Sequence, residues 1–276
     1  MKIQRILLST DCSEFSSGAE REAINIAKRF KAGLYILSVI ETNPEFTALA
    51  PGILEKVEEK TRKCLNELKL KVEKEGISSE IVIHEAEEPY KFIIDEASKK
   101  GANLIVMGRR GRKGLMRLMM GSQTARTIGH SPVSVLVVPR NARIEFKNIV
   151  IATDASKFSE KAAEEAIELA KQTGASLYAI AVTRPDATAE RIKESEDALI
   201  RIKTTCQKEG VKIETEHIQN RPHEKIYEAI IEFAKRHNAD LIVVGSHGRT
   251  GLSKLLMGSV AERVIGHSEC GVLVVK

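Results

Sequence analysis

Tryptophan is absent from the 276 residues, and aromatic residues as a class make up only 4%. A core without large rings must be built from Ile, Val, Leu and Ala, the usual filling of parallel sheets covered by helices on both faces. Cysteine is scarce: Cys12, Cys64, Cys206 and Cys270. None falls in a C-x-x-C pair and none stands near His at zinc-ligand spacing, so the expectation is four isolated, reduced thiols. Long apolar runs are missing. No stretch approaches the ~18 residues of a membrane span. The apolar stretch before Asp11 is too short for a secretory leader, so a cytoplasmic protein with no membrane partner is expected. A strong excess of one charge is missing as well. The net charge is +5 and the isoelectric point about 8.9, with 29% charged residues. Lys and Glu mix along the helices as on solvated faces. No basic, aromatic-rich strand occurs, so nucleic acid is not an expected partner.

What the chain does have is an internal repeat. Ile6–Val39 aligns without gaps on Ile149–Val182, sharing Thr10/Thr153, Asp11/Asp154, Ser13/Ser156, Phe15/Phe158 and Ser16/Ser159. Gly108–Val138 aligns on Gly245–Val275 with 18 identities in 31 positions. The offset is 143 in the first block and 137 in the second, which places a shortening of six residues near Thr42–Gly52. A period of this length is a domain duplication, because solenoid repeats are much shorter. The polar stretch Arg140–Arg143 marks the seam, giving domains 1–141 and 142–276.

Within each copy, short apolar runs alternate with amphipathic stretches. In the first copy strands are expected at Ile3–Ser9, Leu34–Ile40, Glu80–His84, Ala102–Met107 and Val133–Val138. Helices are expected between them, the first capped by Ser13 or Ser16 and ended by Gly33. In the second copy strands are expected near 147–152, 176–182, 211–218, 240–244 and 271–275. This alternation predicts an α/β class of two doubly wound domains, each a parallel sheet with helices on both faces. Ligands on such sheets bind beyond the carboxyl ends of the strands, where the strand order reverses. That directs attention to Ser9–Asp11 and Gly108.

The segment after the fourth strand reads GRRGRKGLMRLMMGS at Gly108–Ser122 and GSHGRTGLSKLLMGS at Gly245–Ser259, both G-x2-G-x9-G-S. Gly108, Gly111 and Gly114 would let the backbone approach a ligand and adopt positive φ. The terminal Gly-Ser then opens a helix, whose free N–H groups and positive dipole end suit a phosphate. Neither a Walker A lysine nor the G-x-G-x-x-G fingerprint is present.

A strand ending in Asp, followed by Ser, together with G-x2-G-x9-G-S after a later strand, resembles the ATP-binding branch of the universal stress protein family in its tandem form. The likeness covers essentially the whole chain, twice. It implies five-stranded sheets of order 3-2-1-4-5, with adenine and ribose over the first two strand ends and phosphates in the glycine-rich loop. By this resemblance Thr10, Asp11 and Val39 hold the nucleoside in the first copy. Gly108, Arg110, Gly111, Arg112, Gly121, Ser122 and Gln123 hold its phosphates. The second-copy counterparts are Thr153, Asp154 and Val182, then Gly245, His247, Gly248, Arg249, Gly258, Ser259 and Val260. The implied cofactor is ATP or AMP, with Mg2+ a companion of ATP, and the implied role is a stress-response or signalling module. A slow ATPase or nucleotidyl-transfer enzyme on the same fold stands as the alternative. The copies differ, since Arg109 and Arg110 replace the Ser-His of Ser246 and His247.

Asp11 and Asp154 have a second reading as helix caps. His130 and His267 read as structural groups at helix ends, Met116, Met119 and Met120 as loop packing, and Tyr35 and Tyr178 as core. A single Asp beside a basic loop, without a second carboxylate or a G-K-[ST] lysine, does not indicate efficient phosphoryl transfer, so whether the protein is an enzyme stays open. The apolar fifth strands are edge candidates. Single-domain members of the resembling family dimerise through that strand. An intramolecular pseudo-dimer and a homodimer of chains are therefore both expected, the first weakened by charges at Val135 and Val137.

Overall fold

The computed structural model describes residues 2–42, 51–110, 120–249 and 257–276. The chain divides into two compact units, Lys2–Asn141 and Ala142–Lys276. In the first, the order is β1 (Arg5–Ser9), α1 (Ser17–Phe30), β2 (Gly33–Glu41), α2 (Pro51–Lys74), β3 (Ser79–Ala86), α3 (Pro89–Lys99), β4 (Leu104–Gly108), α4 (Ser122–His130) and β5 (Ser134–Val138). In the second it is β6 (Asn148–Thr153), α5 (Lys157–Thr173), β7 (Ser176–Thr183), α6 (Ala189–Lys208), β8 (Ile213–Gln219), α7 (Ile226–Arg236), β9 (Leu241–Gly245), α8 (Ser259–His267) and β10 (Gly271–Val275). Among the described residues no helix is long and apolar enough to cross a membrane.

The strand order of the first unit is β3-β2-β1-β4-β5 and that of the second β8-β7-β6-β9-β10, with parallel pairing within each. Each is a doubly wound α/β sheet of order 3-2-1-4-5. The apolar runs explain why: Ile6, Leu7, Leu8, Ile105, Val106 and Val135 have essentially no solvent exposure, as expected for strands covered on both faces. The helices contribute small residues to that core, Ala19, Ala23 and Ala27 on α1 and Ala162, Ala166 and Ala170 on α5. Small side chains there let the helices lie close to the sheet.

Three sequence expectations change. First, α1 ends at Lys31, which takes the left-handed conformation at φ 54°, while Gly33 already opens β2 and donates its N–H to the Gln4 carbonyl. Second, the shortfall of the second copy is distributed. The offset between matching residues falls from 143 at Leu34/Leu177 to 134 at Ser79/Ile213, and returns to 137 at Leu104/Leu241. Residues are thus lost before β8 and partly restored between β8 and β9. Third, Cys12 and Cys64 are not free thiols but form a disulfide, their Cα atoms 6.3 Å apart. It joins the turn after β1 to the middle of α2. Cys206 and Cys270 are free, and burial pushes the Cys206 thiol up to about 11.

A shared device fixes where β1 and β6 begin. In the second unit the Asp240 carboxylate accepts backbone N–H bonds from Phe146, Lys147 and Asn148. In the first, Asn103 accepts from Gln4 and Arg5 and donates to the Lys2 carbonyl. Each side chain stands just before the adjacent central strand, so it sets the level at which the two strand ends emerge on the opposite side of the sheet.

Candidate functional site

The order 3-2-1-4-5 makes β1 and β4 neighbours, as it does β6 and β9. Consecutive connections leave these strands in opposite directions across the sheet, so a crevice opens at their carboxyl ends. In the first unit Ser9 is level with Met107, and Thr10–Asp11 follow one strand while Gly108 ends the other and Arg109–Arg110 follow it.

Thr10 continues the sheet by donating its N–H to the Leu37 carbonyl, and its hydroxyl donates to Glu20 Oε1 at 2.6 Å. Asp11 Oδ1 accepts from the Ser13 N–H, the Ser13 hydroxyl and the Ser16 hydroxyl at 3.0, 2.7 and 2.6 Å. Ser16 is the N-cap residue of α1, yet its hydroxyl is spent on Asp11 rather than on the helix. Asp11 thus shapes the turn before α1, and none of these bonds comes from a backbone N–H of the helix. In the second unit Asp154 stands in the same place. Its Oδ1 accepts from the Ser156 N–H, and its Oδ2 accepts from the Arg249 N–H at 3.1 Å. The strand-end carboxylate there reaches the glycine-rich loop directly.

The two ends of that loop close on each other. Gly258 donates its N–H to the Ser246 carbonyl, and Gly121 does the same to the Arg109 carbonyl, both at 2.9 Å. Gly121 and Gly258 are the N-caps of α4 and α8, and neither helix start has a side-chain cap. Their first N–H groups are therefore presented at the crevice beside Ser122 and Ser259. Gly121 and Gly258 open their helices as expected, and Gly108 does not adopt positive φ, so for it the conformational expectation is corrected. At Gly108 and Gly245 the requirement is room: a Cβ on Gly108 would lie 3.0 Å from the Phe15 carbonyl oxygen, and one on Gly245 would lie 2.7 Å from the Phe158 carbonyl carbon. Gly111, Gly114, Arg112, Met116 and Met119 lie outside the described residues.

Other expected residues fall into place around this frame. Val39 and Val182 stand on β2 and β7, next to the central strands. Arg110 is half-buried, and desolvation draws its pKa down. Gln123 accepts the Tyr90 N–H with its side-chain oxygen, so it secures the start of α3. His247 lies 3.1 Å from the Ser246 hydroxyl and tilts against the Phe158 ring at 5.1 Å. Val260 sits in the first turn of α8. His130 and His267 pack against Tyr90 and Tyr227, the structural part expected of them. Tyr35 and Tyr178 are only half-buried, under Lys100 and against His237 respectively.

Two features were not visible in the linear pattern. In the second unit Glu194, on α6, pairs with both Arg191 and Arg249, and Arg191 also donates to the Asp154 carbonyl at 2.9 Å. The hydrogen bond from Arg249 holds the Glu194 carboxyl below its usual range, and the same bond raises the Arg249 pKa. Glu194 and Arg249 are 55 residues apart, with no motif linking them. In the first unit, Cys12, Cys64 and the Glu20 carboxylate lie within 4.8 Å of one another directly behind Asp11.

The family model described as the universal stress protein family matches residues 2–139 and again 145–276. A universal stress protein of Methanocaldococcus jannaschii is 42% identical over 150 residues, covering 50% of this chain and 86% of its own length. Universal stress protein E of Escherichia coli is 24% identical over 307 residues, covering 99% of this chain and 94% of its own. Among solved structures, a universal stress protein from Archaeoglobus fulgidus superposes with a TM-score of 0.79 at 24% identity. It covers 100% of this chain and 99% of its own, a likeness of fold.

Proposed function

The chain belongs to the universal stress protein family, with two copies of its domain, and from that premise we propose that each unit binds one adenine nucleotide, ATP or AMP, as a stress-response or signalling module. The carrying observation is the meeting of a strand-end carboxylate with an uncapped helix start and a glycine-rich segment whose two ends are hydrogen-bonded, described at Asp154, Arg249 and Gly258. An uncapped N-terminus next to Ser259 suits a phosphate group. Asp154, partly exposed at the end of β6, offers its carboxylate for the nucleoside, with the buried Thr153 and Val182 on the same two neighbouring strand ends. The first unit supplies Thr10, Asp11 and Val39 with Gly121 and Ser122 in the same places. Binding is the reading proposed, and a slow ATPase or nucleotidyl-transfer activity is the alternative that the turnover measurement decides.

The protein, stripped of any bound nucleotide, would be titrated with ATP and with AMP by calorimetry, with and without Mg2+. Two sites per chain are expected. Asp11→Ala and Asp154→Ala should each weaken one of them by about 10- to 100-fold, the worth of a hydrogen bond to a charged group. A chain that takes up neither nucleotide overturns the reading, and repeated turnover of ATP replaces binding with catalysis.

The Arg249–Glu194 pair adds a directional prediction. Nucleotide phosphate and Glu194 compete for one guanidinium. Glu194→Gln should therefore tighten the second site by up to about fivefold, the range of an exposed ion pair, and leave the first unchanged. An unchanged affinity would show that Arg249 stays on α6 when the nucleotide binds.

A further inference from the structure

We propose that Cys12, Cys64 and Glu20 form a reversible dithiol–disulfide centre, exclusive to the first unit, that exchanges with a dithiol reductant and uses Glu20 to carry the proton. This goes beyond nucleotide binding and does not depend on it.

The internal repeat is the control. Cys12 aligns with Ala155 and Glu20 with Ala163 in the ungapped block, and Ala198 stands as far before Gly210 as Cys64 before Gly76. All three members are alanine in the second unit. Yet that unit builds the same turn. Ala155 has φ 59° where Cys12 has 57°. Its N–H donates to the Thr153 hydroxyl, as the Cys12 N–H does to Thr10. Ser156 donates to Asp154 as Ser13 does to Asp11. The fold therefore has no need of the disulfide or of the carboxyl group, and the three residues form a set.

Their surroundings suit exchange chemistry. All three residues are only partly buried, so the centre lies near the protein surface. Glu20 is held in place by the Thr10 hydroxyl, and desolvation raises its pKa, which brings a carboxyl closer to the range useful for proton transfer. The charged groups facing it are Lys71 on α2, which lowers that pKa, and Asp11 in the turn, which raises it. The free thiols are poorer candidates: burial raises both, Cys206 to about 11.

The step balances without any further oxidant. One thiolate of the reductant attacks one sulfur of the Cys12–Cys64 bond, forming a mixed disulfide. The departing cysteine sulfur takes a proton from Glu20. The second thiolate of the reductant then attacks the mixed disulfide, leaves as a cyclic disulfide, and releases the other cysteine, which is protonated from water. Two electrons pass from the reductant to the protein. In the reverse direction Glu20 accepts the proton of the attacking thiol.

The two units differ in the residues next to this centre. Residues 14–16 form a turn in the first unit, whereas their counterparts 157–159 are the first turn of α5. Thr153 pairs with the Ser159 hydroxyl, but in the first unit Thr10 turns to Glu20 and Ser16 to Asp11. The centre is thus coupled to the geometry of Asp11.

The test equilibrates the full-length protein in buffers of dithiothreitol and its cyclic disulfide and counts reactive thiols. Two thiols should appear in a single two-electron transition while the far-UV circular dichroism stays native. Cys12→Ala should abolish that transition. Glu20→Gln, which keeps the Thr10 contact, should slow exchange by about tenfold and remove an inflection from its pH profile. Thiols that appear only as the unit unfolds would overturn the proposal, as would a pair that no oxidant closes. A Glu20→Gln protein with the wild-type rate and profile would overturn the part given to Glu20.

Discussion

Breaking the Cys12–Cys64 bond should lower the unfolding free energy of the first unit by about 4 kcal/mol and leave the second unit untouched. The magnitude comes from the unfolded chain. The bond closes a loop with a sequence separation of 52, and a cross-link of that span removes conformational freedom from the denatured ensemble far more than from the native one. The native side changes little, because the second unit folds with Ala155 and Ala198 at the same places. Urea unfolding with and without dithiothreitol checks this, with the Cys12→Ala, Cys64→Ala double variant as a reagent-free control. One transition should move to lower urea and the other should stay. If both transitions hold within about 1 kcal/mol, the unfolded chain is not restrained as the loop length requires. If both move together, the units do not unfold independently.

That bond also shows where reading the sequence stops. The duplication, the strands and the strand-end positions of Asp11, Asp154, Gly108 and Gly245 were legible, because each is a local pattern: an apolar run, a period, a glycine spacing. Cys12 and Cys64 carry no local pattern. They meet because β2 and α2 return the chain past the end of β1, which is a tertiary event. The same is true of Glu194 and Arg249. Local chemistry also misled where two residues compete for one role. Gly33 looked like the stop of α1, but Lys31 tolerates the left-handed conformation and releases Gly33 to begin β2. Ser16 is the N-cap position as expected, but its hydroxyl goes to Asp11 and not to a helix N–H. The glycines of the loop were recognised as necessary for the wrong reason in part, and the difference has a measurable consequence.

Gly245→Ala should destabilise the second unit by about 3 kcal/mol, at the upper end for overpacking. The glycine ends β9 level with Val275 and has no positive φ, so alanine meets no conformational objection. The objection is space. Its Cβ would stand 2.7 Å from the Phe158 carbonyl carbon, 2.9 Å from the Phe158 oxygen and 2.9 Å from the Phe158 Cβ. Two of these are backbone atoms within the first turn of α5, which no rotamer change can move. Either β9 or the start of α5 must give way, and both carry the site: Ser246 and His247 follow one, while Asp154 precedes the other. Gly108→Ala in the first unit makes the matched comparison. There the nearest atom is the Phe15 oxygen at 3.0 Å, and residues 14–16 are a turn rather than a helix. A turn yields more readily than a hydrogen-bonded helix, so its cost should be about 1 kcal/mol, the lower end of the same range. Urea midpoints of the two transitions separate the cases. Equal losses would mean that the first turn of α5 does not oppose the methyl group, and that the close approach of β9 to Phe158 relaxes without cost. The expected inequality would tie the rigidity of the second site to its complete helix, and the softer response of the first to the turn at residues 14–16.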